Sequence, residues 1–226
     1  VKALTVKDLQ AVGKKYLTEK NRMVFTLMPE VETPKTEVPK AAVSANVTAQ
    51  QVIDNYAAAL GGKSKLEAVK TLKTLSTIKV MGMEMEATTL EMAPNKSKAV
   101  QKIMGQEMVQ VFDGEKGYMM QAGQRMDLPA PAIEEAKKKR LFEVLSYNAA
   151  DFKTVEKVTE EGKELYLLAG AGKKLYFDAK TNLLVKSTSD KGDMVILDYM
   201  EVDGIKFPKN LKLAMMGQNM EMTNNQ

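Results

Sequence analysis

Apolar and polar residues alternate in short runs from about residue 71 to the end of the chain. The runs are separated by turn residues such as Met81-Gly82, Asp113-Gly114, Thr181-Asn182 and Asp203-Gly204. Alternation with a period of two is typical of strands, and closely spaced strands pair antiparallel because parallel strands need crossover helices between them. The pattern therefore predicts a long antiparallel sheet.

Helical periodicity precedes the sheet and interrupts it once. Thr48 and Gly61-Gly62 predict the two ends of a helix over residues 48–60. A short helical turn is expected at residues 64–70, and Pro131–Leu145 is predicted to be a second amphipathic helix. Two helices packed on one face of a curved sheet are the simplest way to cover it, so the expected fold class is α+β.

The chain divides into three stretches. Residues 1–28 predict one helix and one strand, which cannot enclose a core and must dock on another domain. Residues 29–47 contain three prolines and little bulky apolar content, which indicates an extended, semi-rigid linker. Residues 48–226 form the predicted sheet domain. Because the chain begins at Val1 within a helical pattern, we expect it to be a fragment or a processed form of a longer protein.

Composition restricts the chemistry. The 226 residues include no His, Cys or Trp. Without His there is no imidazole base and no imidazole metal ligand, and without Cys there is no disulfide or thiolate site. No catalytic residue, metal ligand or cofactor site is therefore predicted in this chain, and we expect it not to be an enzyme by itself.

The net charge of +4 is not spread evenly. Residues 1–28 alone carry +4, whereas residues 48–226 carry 25 basic and 24 acidic groups. Binding to a phosphate backbone depends on clustered Lys and Arg, so a nucleic-acid partner is not expected. No apolar run of 18 residues occurs, and no transmembrane segment is predicted.

Methionine is the unusual component, with 17 residues. Met81, Met83 and Met85 fall on one face of a predicted strand, and Met104 and Met108 flank Gly105. Core filling explains any single Met, because its side chain adapts to irregular gaps. A row of Met at strand spacing also suits a flexible apolar surface that binds a variable ligand.

Residues 1–28 carry a first family resemblance. The segment from Leu4 to Leu17, followed by Asn21-Arg-Met-Val-Phe-Thr-Leu-Met-Pro29, is similar to the closing helix and strand of an insulinase-like (pitrilysin) zinc peptidase domain. Such peptidases use an inverted His-x-x-Glu-His zinc motif, which a chain without His lacks. The resemblance implies upstream peptidase domains in the same polypeptide, beyond this fragment.

Residues 48–226 carry a second resemblance, to the LolA/LolB-like superfamily that sorts outer-membrane lipoproteins. It rests on four motifs in order, which are Tyr56-Ala-Ala-Ala-Leu-Gly-Gly-Lys-Ser-Lys-Leu66, Val111-Phe-Asp-Gly-Glu-Lys-Gly-Tyr118, Leu175-Tyr-Phe-Asp-Ala-Lys-Thr-Asn-Leu-Leu-Val185 and Asp198-Tyr-Met-Glu-Val-Asp-Gly-Ile-Lys-Phe-Pro208. The resemblance implies an unclosed antiparallel half-barrel whose concave face, covered by helices, holds acyl chains. Tyr118 stands where the family often has an aromatic such as Trp.

Together these features predict a non-catalytic domain with an apolar-ligand cavity for lipid or acyl chains. The candidate lining residues are Met81, Met83, Met85, Met104, Met108, Leu141, Val144 and Leu145. The alternative is a structural or interaction domain that positions a parent peptidase or its substrate and binds no lipid. By resemblance, the expected location is the bacterial periplasm or outer membrane.

Overall fold

The computed structural model describes residues 43–44 and 47–225 except Met104 and Met216, and gives only the backbone of Val43, Ser44 and Ile103. The predicted helix and strand of residues 1–28 and most of the predicted linker lie outside the described residues. The α-helices of the described part are α1 (Ala49–Leu60), α2 (Lys63–Ala68) and α3 (Ala130–Lys138), and 3-10 turns follow at Glu143–Ser146 and Ala149–Asp151. The first seven strands are β1 (Val43–Ser44), β2 (Thr71–Val80), β3 (Met83–Met92), β4 (Lys96–Ile103), β5 (Gln106–Phe112), β6 (Gly117–Gln121) and β7 (Gln124–Asp127). The remaining strands are β8 (Thr154–Glu160), β9 (Lys163–Gly170), β10 (Lys173–Asp178), β11 (Leu184–Ser189), β12 (Gly192–Val202), β13 (Ile205–Met215) and β14 (Gln218–Asn224).

All of these strands belong to one antiparallel sheet in the order β1-β8-β9-β10-β11-β12-β13-β14-β2-β3-β4-β5-β6-β7. It consists of two meanders, β2–β7 and β8–β14, which join where the last strand pairs with β2. Strands β1 and β7 stand at the two ends of the order, so the sheet is unclosed. The large antiparallel, unclosed sheet with few helices agrees with the sequence analysis.

Helix α1 begins and ends where local signals place it. The Thr48 hydroxyl accepts a hydrogen bond from the Gln51 backbone N–H, and the Gln51 side chain accepts one from the Thr48 N–H, which completes a capping box. Gly61, at a φ of 135°, ends the helix. The buried face of α1 comprises Ala49, Val52, Ile53, Tyr56, Ala57 and Leu60. This face packs on residues of β9–β13, including Leu168, Phe177 and Leu211, and forms the main core.

Helix α3 is shorter than predicted. The chain leaves the helix at Lys139, whose ψ of 149° is extended, so residues 139–145 do not continue the predicted helix over Pro131–Leu145. Four consecutive cations, Lys137 to Arg140, repel one another at this point. No residue of α3 is buried, whereas Phe142 and Val144 beyond it are. Leaving the helix lets these two side chains reach the core, and each such burial contributes roughly 1.5–3 kcal/mol.

The sheet curls toward the face that α1 covers. The Asn95 side chain, between β3 and β4, donates a hydrogen bond to the Lys137 carbonyl of α3 (3.2 Å). Two residues earlier in α3, Glu135 forms an ion pair with Lys191, between β11 and β12. In a flat sheet these two turns would lie at opposite ends of the strands and five strand spacings apart sideways, which alone is about 24 Å. One short helix bridges both turns, so its side of the sheet is concave.

Candidate apolar-ligand cavity

A cavity of about 420 Å³ lies between α1, the segment of residues 139–147 and the concave face of the sheet. Helix α1 contributes Tyr56 and Leu60, and the segment contributes Leu141, Phe142, Glu143 and Val144. The strands contribute Leu72, Lys73, Thr74, Leu184, Met194, Ile196, Met200, Val202, Lys206, Phe207, Pro208 and Asn224. The lining is predominantly apolar, with a few polar groups, as is usual for small-molecule sites.

Packed aromatic rings hold the segment of residues 139–147 against the sheet. The rings of Phe142 and Phe207 lie 5.7 Å apart, and those of Tyr147 and Phe152 lie 6.1 Å apart at nearly a right angle. Lys173 Nζ lies 4.5 Å from the centre of the Tyr147 ring and 3.6 Å from the Glu143 carboxylate. These contacts fix the segment as one wall of the cavity.

An apolar strip connects the cavity with the β2–β3 half of the concave face. Directly paired residues of antiparallel strands share a face, so the pairings trace rows across the sheet. One row runs Ile196, Leu211, Met222, Ile78 and Met85, and the next runs Met194, Leu213, Met220, Val80 and Met83. Both rows start at residues that line the cavity. We call these ten residues the methionine strip.

The floor beside the strip is made of small side chains. In β2 and β3, Thr74 pairs with Thr89 and Ser76 pairs with Ala87 on the same concave face. The Ser76 hydroxyl donates to Asn224 Oδ1 (2.7 Å), and the Asn224 amide donates to the Pro208 carbonyl (2.7 Å). The Ser76 hydroxyl and the Asn224 amide are therefore satisfied within the protein, and Ser76 and Ala87 are buried.

The predicted lining residues fall into three groups. Leu141 and Val144 line the cavity. Met83 and Met85 lie in the methionine strip, and the register places Met108 on the same concave face through the row Ser76, Ala87, Gln101 and Met108. Met81 is exposed in the β2–β3 turn, Leu145 packs against the core, and Met104 lies outside the described residues.

Sequence reasoning did not single out Met194, Met200 or Phe207, which the structure places in the cavity lining. Signals for them exist. Met194 and Ile196 alternate within β12, and Met200 and Phe207 lie within the motif Asp198–Pro208 that carries the second resemblance.

Three buried tyrosine hydroxyls meet beside the cavity. Burial raises the pKa of Tyr56 to about 12, against an opposing hydrogen bond with Tyr199. Burial likewise raises the pKa of Tyr199 and of Tyr147, and the Glu143 carboxylate adds to the rise for Tyr147. The Tyr147 hydroxyl has no hydrogen-bond partner of normal geometry among the described residues. All three hydroxyls therefore remain neutral at physiological pH.

A smaller cavity of about 200 Å³ lies between α3 and the β3–β5 strands. Glu91 lines it, and burial raises the pKa of this carboxyl against the opposing charge of Lys139. Within the described residues, no group of three or more His, Cys, Asp or Glu side chains is placed to hold a metal ion. None of the helices described is both long and apolar enough to cross a membrane.

No family model and no curated protein matches the chain in sequence. Among solved structures, a DUF1329 family protein from Desulfovibrio piger is similar over 78% of this chain and 91% of its own, at 8% identity and a TM-score of 0.46. LprF from Mycobacterium bovis covers the same shares at 11% identity and a TM-score of 0.30. Lipoprotein LppX from Mycobacterium tuberculosis is similar over 78% of this chain and 93% of its own, at 7% identity and a TM-score of 0.32. All three TM-scores lie below 0.5, and at this level neither the fold nor the function of this chain follows from the likeness.

Proposed function

We propose that residues 48–226 bind an apolar ligand with a long hydrocarbon part, such as an acyl chain, on the concave face of the sheet. The observation that carries the proposal is the continuity between a predominantly apolar cavity of about 420 Å³ and the methionine strip. Ligand sites of known proteins commonly enclose about 300–1,000 Å³, so the volume is sufficient for a small ligand.

The energetics favour hydrocarbon. Moving an acyl chain out of water contributes about 0.8 kcal/mol per buried CH₂ group. Water gains little from the same space, because apolar cavities offer it few hydrogen-bond partners. Methionine side chains are unbranched and flexible, so the strip can adapt to chains of different length and shape.

The individual ligand-contact residues and the cellular location are further parts of this proposal. The eight predicted lining residues are candidates for ligand contact, and a periplasmic or outer-membrane location is consistent with binding acyl chains. Neither the family comparison nor the curated one supports a parent peptidase, and the resemblance behind it lies in residues 1–28, outside the described part. Our proposal therefore concerns the sheet domain alone.

Titration with a fluorescent fatty-acyl probe tests the proposal. Purified chain is freed of bound lipid by unfolding on a column and refolding, and probe emission is followed. The blocking variant is Thr74→Trp, which places an indole on the concave face at the cavity floor. The matched control is Thr77→Trp, three residues along the same strand and on the opposite face.

Saturable binding by the wild type and by Thr77→Trp, with at least tenfold weaker binding by folded Thr74→Trp, is the expected result. Circular dichroism establishes that both variants are folded. A wild type that does not bind the probe, or equal binding by both variants, contradicts the proposal and favours a structural or interaction domain without lipid.

A further inference from the structure

The two ends of the sheet differ in the chemistry of their turns. We name the ends after one turn residue each. The Met81 end carries the turns after β2, β4, β6, β9, β11 and β13, and the Asp203 end carries those after β3, β5, β8, β10 and β12. Consecutive strands of a meander run in opposite directions, so alternate turns lie at the same end of the sheet.

Six non-glycine residues in the described part of the chain have a positive φ, between 49° and 57°. The three at the Met81 end are apolar, namely Met81, Ala122 and Ala171. The three at the Asp203 end are polar, namely Glu161, Asn182 and Asp203. In the sequence, Gly105 and Gly217 at the Met81 end are also preceded by Met.

This distribution runs against local preference at all three positions of the Met81 end, but only at Glu161 of the Asp203 end. Positive φ in a tight turn favours Gly, Asn and Asp, whose short polar side chains form local hydrogen bonds, and disfavours other residues. Met81 and the two alanines thus occupy a backbone conformation that is unfavourable for them. Their side chains are exposed to water, with which an apolar side chain forms no hydrogen bond. Met81 is 77% exposed. Such a departure indicates a functional requirement for an apolar residue at these three turns, whereas the β11–β12 turn at the same end carries Asp190 and Lys191.

Ion pairs flank two of the turns at the Met81 end. Lys79 and Glu84 flank the β2–β3 turn and form an ion pair of 3.4 Å, and Lys102 and Glu107 flank the β4–β5 turn with an ion pair of 3.8 Å. Because these charges neutralise each other in pairs, the surface is better suited to contact with an apolar phase than to binding a charged partner. The methionine strip also reaches this end, because Val80 and Met83 are adjacent to the Met81 turn.

We propose that the Met81 end is a lipid-surface docking site, at which the apolar turns insert among the acyl chains at a bilayer interface. Met81 is the principal anchor, and Ala122 and Ala171 let the neighbouring turns approach the interface without a polar side chain. The adjacent methionine strip then offers a hydrocarbon-compatible route between the lipid surface and the cavity. Docking itself does not require the cavity to bind ligand.

Vesicle co-flotation of the full chain tests this proposal. The vesicles consist of phosphatidylcholine, with and without an admixture of phosphatidylglycerol. The test variant combines Met81→Asn, Ala122→Asn and Ala171→Asn, all at positions where Asn suits the backbone, so that folding is preserved. The control combines Glu161→Asn and Asp203→Asn, which also introduce Asn at positive-φ turn positions but at the Asp203 end and without removing an apolar side chain.

The expected result is wild-type flotation on both kinds of vesicle with little dependence on salt. The partition coefficient of the triple variant should be lower by a factor of at least about ten, since Met81 alone accounts for the burial of one large apolar side chain. The control variant should float like the wild type.

Three outcomes overturn the proposal. These are a wild type that does not float, a triple variant that floats like the wild type, and flotation that needs phosphatidylglycerol and is lost at high salt. Self-association in sedimentation velocity that the triple variant loses, without vesicle binding, assigns the turns to a protein contact instead. Vesicle binding that persists without acyl-probe binding contradicts only the proposed function.

Discussion

The Tyr199 hydroxyl donates a 2.8 Å hydrogen bond to the Leu184 carbonyl and lies close enough to the Tyr56 hydroxyl to influence its pKa. This contact links β12, β11 and α1 beside the cavity. We expect Tyr199→Phe to lower the free energy of unfolding by about 1–2 kcal/mol, because it leaves the carbonyl of the buried Leu184 without this partner. Urea denaturation followed by circular dichroism measures the change.

Tyr147→Phe serves as the comparison for that substitution. The Tyr147 hydroxyl is buried without a hydrogen-bond partner of normal geometry in the described part of the chain. Removing it takes away a desolvated polar group and no hydrogen bond, so stability should stay within about 0.5 kcal/mol of wild type or rise. A loss as large as that of Tyr199→Phe would show that the Tyr147 hydroxyl has a partner in solution.

Thr48→Ala removes the N-cap of α1. The Thr48 hydroxyl accepts the Gln51 N–H at 3.2 Å, and without it one N–H of the first turn lacks its partner. The expected loss is about 1 kcal/mol, seen as a lower urea midpoint. Gln50→Ala, which removes only an exposed contact with Asp54, should leave the midpoint nearly unchanged. Equal effects for the two variants would argue against the capping role.

Asp178 links stability to pH through the turn between β10 and β11. Burial tends to raise the pKa of this carboxyl, but hydrogen bonds from the Thr181 N–H and hydroxyl and from the Lys180 N–H outweigh it and lower the pKa. A lowered folded-state pKa stabilises the fold above the ordinary aspartate pKa of 3.8 and loses this effect as the pH falls through the folded-state value.

Asp178→Asn should therefore cost about 1 kcal/mol near neutral pH. The deficit should shrink as the pH is lowered below 3.8, where the wild-type carboxyl also becomes protonated. Unfolding free energies of both proteins across this range provide the measurement. If the difference in unfolding free energy were independent of pH, the shape of the Asp178 side chain, and not its charge, would be what stabilises the turn.

Gly170 is required for close packing and not for an unusual backbone conformation. A Cβ at this position would lie 2.0 Å from the Asp151 carbonyl oxygen, where the chain enters β8. Gly170→Ala should cost about 2 kcal/mol or more, since backbone has to move. Gly172→Ala, at a φ of 73° in open space, should cost only about 1 kcal/mol. Thermal unfolding of both variants tests whether Gly170→Ala is the more destabilising substitution.

The parts of the fold that local chemistry dictates were predictable. Thr48 and Gly61 mark the ends of α1, and X-Gly turns separate most of the strands of the meanders. The Glu161-Gly162 turn was not singled out, although it has the same form as the others.

Features that depend on contacts between residues far apart in the sequence could not be predicted from local sequence patterns. Helical periodicity extends through residues 139–145, yet the chain leaves α3 because Phe142 packs against Phe207. The cavity lining is likewise set by which strands neighbour each other. Met83 and Met85 were predictable as a row, but their connection to Met194 and Ile196 depends on the pairing of β14 with β2.

The same pairing determines when the sheet can be completed during synthesis. Met220 pairs with Val80, 140 positions earlier in the chain. At about 5–20 residues per second, the β2 edge and the methionines beside it wait roughly 7–28 s after β2 is made before β14 exists. Unpaired strand edges and exposed apolar surface are prone to aggregation, and such non-local contacts form slowly. Early folding of this protein therefore depends on keeping the β2 edge apart from other chains until its own C-terminal strand arrives.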